Sequence, residues 1–154
     1  MLVPSLVSNV FDGSRAYVYL WVSKQWRVVY VGQTNDPAGT LGRAAGHVAP
    51  GGSLRKRFYE TVALPLERAD DLVLLSYPMP ARAEYQSRAS SYRLAVEYLV
   101  QAAMWEVRTR VTPTFTVISA VATNARTRDA DVGRLAAEIV AAFESAYDTL
   151  PTLV

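Results

Sequence analysis

Four side chains able to grip an anion or move a proton stand in the first third of the chain: Tyr19, Tyr30, Arg43 and His47. A guanidinium forks onto the oxygens of phosphate or carboxylate. Tyrosine and histidine can take or give a proton. The elements that must position them can be read from the surrounding residues. Ala16 to Val22 and Arg27 to Gly32 are short runs rich in Val and Tyr, the composition of strands. The polar stretch Ser23-Lys24-Gln25-Trp26 between them suits a hairpin connection. Side chains alternate along a strand, so Tyr17, Tyr19 and Trp21 share one face, and Val28, Tyr30 and Gly32 share one face of the next strand. The hairpin is expected to set Tyr19 and Tyr30 side by side, with Gly32 allowing a close approach. Asn35-Asp36-Pro37 and Gly39 turn the chain away. A short helix over Thr40 to Val48 then points Arg43 and His47, four residues apart, in one direction.

Composition bounds what this set can do. At 154 residues the chain is expected to form one α+β domain over 1–154, and at 51% apolar and 19% charged residues it is globular in type. It has no cysteine, which excludes a disulfide framework and a thiolate zinc site. Its single histidine excludes a multi-histidine cluster. A metal must therefore be held by oxygens, which favours Mg²⁺ and its relatives. Residues 1–60 carry seven Lys/Arg against three Asp/Glu, and residues 61–154 carry nine against eleven. The positive half is the half with the tyrosines and arginine, which suits a polyanionic partner. Met1 to Ser14 lacks the pattern of a secretory signal, and no run reaches the length of a membrane span. The expectation is a cytoplasmic, soluble protein with no membrane partner.

Pro50-Gly51-Gly52-Ser53 reads as a loop with Ser53 as N-cap of a helix running to about Val62. Its consecutive cations Arg55, Lys56 and Arg57 cannot share one face but can line a rim that meets phosphates. The plainer reading is a solvated helix surface. Asp71 to Tyr77 is a continuous apolar run with the pattern of a central strand covered on both faces, and it supplies the hairpin with a third strand. From about Ala83 to Val107 the period is helical, with Tyr92, Val96, Leu99, Val100, Ala103 and Val107 on one stripe. Glu97 falls at the rim of that stripe. The alternative for Glu97 is a surface residue paired with Arg93 or Gln101, and Glu84 and Glu106 are its rivals as a site carboxylate. Arg110 to Val121, β-branched and holding Pro113, is an edge strand or an extended connection. Asp131 to Leu150 is an amphipathic helix that packs on the domain or forms a dimer surface.

Val18-Tyr19 followed by Tyr30-Val31-Gly32, then Arg43 and His47, resembles the paired triads and Arg-x-x-x-His of the GIY-YIG nuclease superfamily. The resemblance covers about residues 16–116, leaving a helical extension over about 128–150. Tyr17 stands where the family has its first glycine, and Val18 and Val31 stand for its isoleucines. The resemblance implies a small three-stranded, mainly antiparallel sheet flanked by helices. It implies a metal-dependent endonuclease acting on DNA in preference to RNA, with one Mg²⁺ or Mn²⁺ per site held by Glu97. Tyr19 would be the general base, its pKa lowered by Arg43, the metal and a protonated His47. Tyr30 would bind water or phosphate, Arg43 the non-bridging oxygens, and Arg55, Lys56 and Arg57 the nucleic acid. The family asparagine has no clear counterpart. Threonines (Thr112, Thr114, Thr116) occupy its neighbourhood, and Asn124 comes late. The alternatives are a catalytically silent nucleic-acid-binding module, a domain binding small molecules or proteins, and, for any double-strand cutter, a homodimer.

Overall fold

The computed structural model describes residues 13–152, so most of the Met1 to Ser14 stretch lies outside the described residues. Strands β1 (Tyr17–Ser23) and β2 (Val28–Thr34) form the expected hairpin. Its connection is held from a distance. The buried Asp71 carboxylate accepts from Ser23 Oγ at 2.6 Å and from the Gln25 amide at 2.8 Å. Arg27 closes the turn with a left-handed φ of 54°.

The sheet has four strands rather than three, in the order β3-β1-β2-β4. Strand β3 (Val73–Pro78) pairs antiparallel with β1 and lies at the edge. It is not the central, doubly covered strand its apolar run suggested, and its residues are only half-buried. The run is apolar because each face is partly covered, with Leu75 and Tyr77 packing on one core and Leu72 joining the other. The added strand, β4 (Thr116–Val117), comes from the segment read as edge strand or connection. It pairs parallel with Val28 and Val29 of β2, which makes the sheet mixed. Thr116 and Ile118 amides donate to Arg27 and Val29 carbonyls at 2.7 and 2.9 Å.

Alternation along the hairpin divides the molecule. Val18, Leu20, Val22, Val29 and Val31 point into a large core with α4 (Ser91–Val107) and α5 (Ala130–Tyr147). Helix α5 meets the expected amphipathic pattern and buries Val132, Ile139, Phe143 and Tyr147 against the domain. The opposite sheet face carries α1 (Gly39–Val48) and α2 (Ser53–Val62), where Leu54 and Phe58 pack with Val28, Leu66 and Ile118. Tyr17, Tyr19 and Tyr30 lie on this second face.

The helix expected over Ala83 to Val107 is two, α3 (Ala83–Gln86) and α4. Ser90 makes the break by capping α4, accepting from the Arg93 amide at 3.1 Å and donating to the Glu84 carbonyl at 2.5 Å. The buried Arg93 guanidinium then donates to the carbonyls freed around the break, Tyr85, Ser87 and Arg88, at 2.6 to 3.3 Å. Among the described residues no helix is long and apolar enough to cross a membrane.

Candidate active site

Strand register places the first tyrosine. Tyr19 stands directly opposite Gly32, not beside Tyr30, which faces Trp21 two residues along. The tyrosines are thus diagonal neighbours on one face, within mutual reach. A Cβ on Gly32 would lie 2.3 Å from both Cζ and the hydroxyl of Tyr19. The close approach expected at Gly32 is therefore the Tyr19 ring itself, folded across the glycine and fully buried. Tyr17, in the glycine position of the resemblance, is accommodated as a buried strand residue opposite Thr34 and Pro78.

Helix α1 brings His47 down onto both rings. Tyr19 Oη is hydrogen-bonded to His47 Nε2. The His47 ring meets the Tyr19 and Tyr30 rings edge-on, with centroids 5.5 and 5.3 Å away. On its other side His47 Nδ1 lies 2.7 Å from Ser53 Oγ, and Ser53 Oγ lies 2.9 Å from Tyr30 Oη. Ser53 is not the N-cap of α2. Gly52 occupies that position, and the serine hydroxyl goes to the site instead. Ser53 is the site residue that sequence reasoning missed, because a serine after Gly-Gly at a helix start reads first as a cap.

The electrostatics reverse two expectations. Burial, with the charge of Arg43, pushes His47 down to about 4, so the imidazole is neutral at pH 7 rather than protonated. Tyr19 is raised, not lowered. Its burial and the nearby Tyr30 outweigh the Arg43 guanidinium, whose positive charge acts to lower it. Glu97, half-buried on α4, is pushed up to about 7 by burial, with Arg43 opposing. Arg43 itself is exposed at the mouth of the group. Its charge acts on Tyr19, His47 and Glu97 alike, and Glu97 in turn acts on Tyr19.

Glu97 is fixed by its helix. One turn earlier, Arg93 Nε donates to Gln33 of β2 at 2.8 Å, tying α4 to the end of that strand. Arg93 is thereby occupied by Gln33 and three carbonyls, so it does not neutralise Glu97 as the surface-pair alternative required. Among the described residues no hydrogen bond to Glu97 contributes to its pKa. Of its rivals, Glu84 lies beside Arg82 at 3.5 Å and Glu106 is exposed on the far side of α4. Asn124 is structural, capping the turn at Ala125–Arg128 and donating to the Ser91 carbonyl.

The basic cluster divides. Arg55 is half-buried, donating to the Val48 carbonyl at 2.9 and 3.1 Å and meeting Glu67 at 2.5 Å, so it joins α1 to α2 rather than facing solvent. Lys56 and Arg57 are exposed and only loosely paired with Glu60, at 3.9 and 3.7 Å.

A divalent ion needs oxygen donors here. Among the described residues no group of three or more His, Cys, Asp or Glu is arranged to hold a metal. Glu97 is a desolvated carboxylate with no ion pair among the described residues. A single carboxylate is enough for Mg²⁺ only where water and substrate phosphate fill the rest of its shell. Comparison of the chain with family models, with curated proteins and with solved structures finds no match.

Proposed function

We propose that this chain is a metal-dependent phosphodiester hydrolase of the GIY-YIG type, acting on nucleic acid. One observation carries the reading: Tyr19, Tyr30 and His47, from three elements, meet in one hydrogen-bonded cluster with Ser53, and the charges of Arg43 and Glu97 act on its Tyr19. An ordinary packing role for the tyrosines gives no reason for a buried phenol bonded to a neutral imidazole near a carboxylate that has no ion pair among the described residues.

Glu97, with substrate phosphate and water, would hold Mg²⁺ or Mn²⁺, and the ion would supply Lewis acidity at the departing oxygen. The chain's own groups do the rest. Arg43, exposed and with its charge acting on Tyr19, would fork onto non-bridging phosphate oxygens and neutralise charge that builds in the transition state. Tyr19 is a neutral phenol and cannot act as a preformed phenolate base. It can accept a proton from an attacking water while surrendering its own to His47 Nε2, which is free to receive it because the ring is neutral. A raised tyrosine and a lowered histidine thus serve one relay.

The test uses purified protein with plasmid and with single-stranded DNA, in Mg²⁺ and then in EDTA. Cleavage that EDTA abolishes is the expected result. Salt-sensitive binding without cleavage would favour a silent nucleic-acid-binding module instead. The absence of both cleavage and binding would overturn the reading.

A further inference from the structure

Tyr19 is 1% exposed, so with substrate over the site a proton it takes from the attacking water has no direct way back to bulk solvent. The hydrogen bonds lead it elsewhere. From Tyr19 Oη they run to His47 Nε2, from Nδ1 to Ser53 Oγ, and from Ser53 to Tyr30 Oη, so that the chain reaches solvent at its far end, through the exposed Ser53 and the half-buried Tyr30. We propose that Ser53 is a positioning residue that joins His47 to Tyr30 in one proton-conducting chain, fixing the histidine tautomer and giving the Tyr19 proton its exit. The inference rests on the hydrolase reading for its catalytic consequence, but not for its tautomer.

A neutral imidazole has one donor and one acceptor nitrogen, so the chain can be polarised in only two senses. In the first, Tyr19 donates to Nε2, Nδ1–H donates to Ser53, and Ser53 donates to Tyr30. In the second every donor is reversed, and the Tyr19 oxygen receives Nε2–H. Among the described residues the only acceptor bonded to the Tyr19 hydroxyl is His47 Nε2. The second sense would therefore leave the Tyr19 proton without a protein acceptor in a buried position. The first sense satisfies every member, and it is the sense in which Tyr19 stands ready to accept from water.

The transfer balances. The O–H bond of the attacking water breaks as its oxygen bonds phosphorus, and that proton goes to Tyr19. Tyr19's proton goes to Nε2, the Nδ1 proton to Ser53, the Ser53 proton to Tyr30, and the Tyr30 proton to solvent. The departing oxygen takes its proton from solvent as its bond to phosphorus breaks. The chain is left in the opposite sense, and once product has left the site, exchange with water at Tyr19, Ser53 and Tyr30 restores it.

His47 is the only histidine among the 154 residues, so ¹⁵N-histidine labelling reports it without assignment. In the intact protein at pH 7 the expected spectrum is a neutral ring protonated at Nδ1, the form that histidine in water disfavours. Ser53→Ala should shift the ring toward Nε2–H, and Ser53→Thr, which keeps the hydroxyl, should restore Nδ1–H. In single-turnover cleavage Ser53→Ala should lower the rate about 10- to 100-fold with little change in KM, and Ser53→Thr should recover most of it. Thermal melts of both variants separate these effects from unfolding. An Nε2–H ring in the native protein, or a tautomer unmoved by Ser53→Ala, overturns the inference even if the protein cuts DNA. Full cleavage by a folded Ser53→Ala variant overturns it as well. The expected tautomers in a protein that cuts nothing would instead remove the hydrolase reading and leave the chain standing.

Discussion

Arg43 and Glu97 carry opposite charges at one site, and their substitutions should fail in different ways. Arg43 is exposed, makes no fold-holding contact among the described residues of the kind that ties down Arg55, and acts on charge in its neighbours. Arg43→Ala is expected to lower kcat about 100- to 1,000-fold while nucleic-acid binding changes little. Neutralising the exposed Lys56 and Arg57 together should instead weaken binding and flatten its salt dependence, read from titrations at several ionic strengths. Equal, purely affinity-type losses from both would contradict the assignment. Arg55 was read in sequence as one of three phosphate contacts, yet it closes α1 against α2. Charge is visible in a sequence, but the carbonyl at Val48 that claims the guanidinium is not.

At the scale of elements, the hairpin was legible because period-two alternation and a polar connection state it directly. Its register was not. A slip of two residues keeps every side chain on its face, so the pattern alone could not decide between Tyr19 opposite Tyr30 and Tyr19 opposite Gly32. The second arrangement makes Gly32 the seat of the Tyr19 ring. Gly32→Ala forces the Tyr19 ring off its seat, so it should cost about 1–3 kcal/mol of stability and uncouple Tyr19 from His47. Loss of cleavage with a lowered melting temperature is the expected pair of results, and native activity in this variant would contradict the geometry. The break between α3 and α4 was also invisible in the apolar stripe, which runs through it. It depends on a serine cap and on Arg93 satisfying three carbonyls. Arg93→Met should therefore cost about 2–4 kcal/mol by denaturant titration, because those carbonyls lose their donor. It should also loosen the Gln33 contact that sets Glu97 beside the tyrosines.

At the scale of the whole molecule, two site residues set opposing pH dependences of stability. Glu97 titrates near 7 in the folded chain against an ordinary 4.5, so its contribution is complete below 4.5 and lost as pH rises through 7. His47 titrates near 4 against an ordinary 6.5, so its contribution is complete above 6.5 and lost as pH falls through 4. Each is worth about 3 kcal/mol at its limit. Between about pH 4.5 and 6.5 the two slopes oppose each other, and the native protein should show a nearly flat melting temperature there. Glu97→Gln removes one slope, so the variant should melt higher than the native protein at pH 8 and lose that advantage by pH 5. A variant less stable than native at pH 8 would show that the carboxylate is not desolvated as described. Mg²⁺ should raise the native melting temperature at pH 8 and leave that of the variant unchanged.

The fourth strand, the edge position of β3 and the neutral histidine all depend on contacts between segments distant in sequence, which local pattern does not encode. The central claim depends on one such convergence, that of Glu97 on the tyrosine–arginine face. Its most direct test is cleavage of DNA by the Glu97→Gln variant at saturating Mg²⁺. The variant is expected to bind DNA at least as tightly as the native protein, to melt as a folded chain, and to cut nothing, while the native protein cuts and EDTA stops it. Cleavage by Glu97→Gln at near-native rate, with loss of cutting in Glu84→Gln or Glu106→Gln, would contradict the account and assign the metal to another carboxylate.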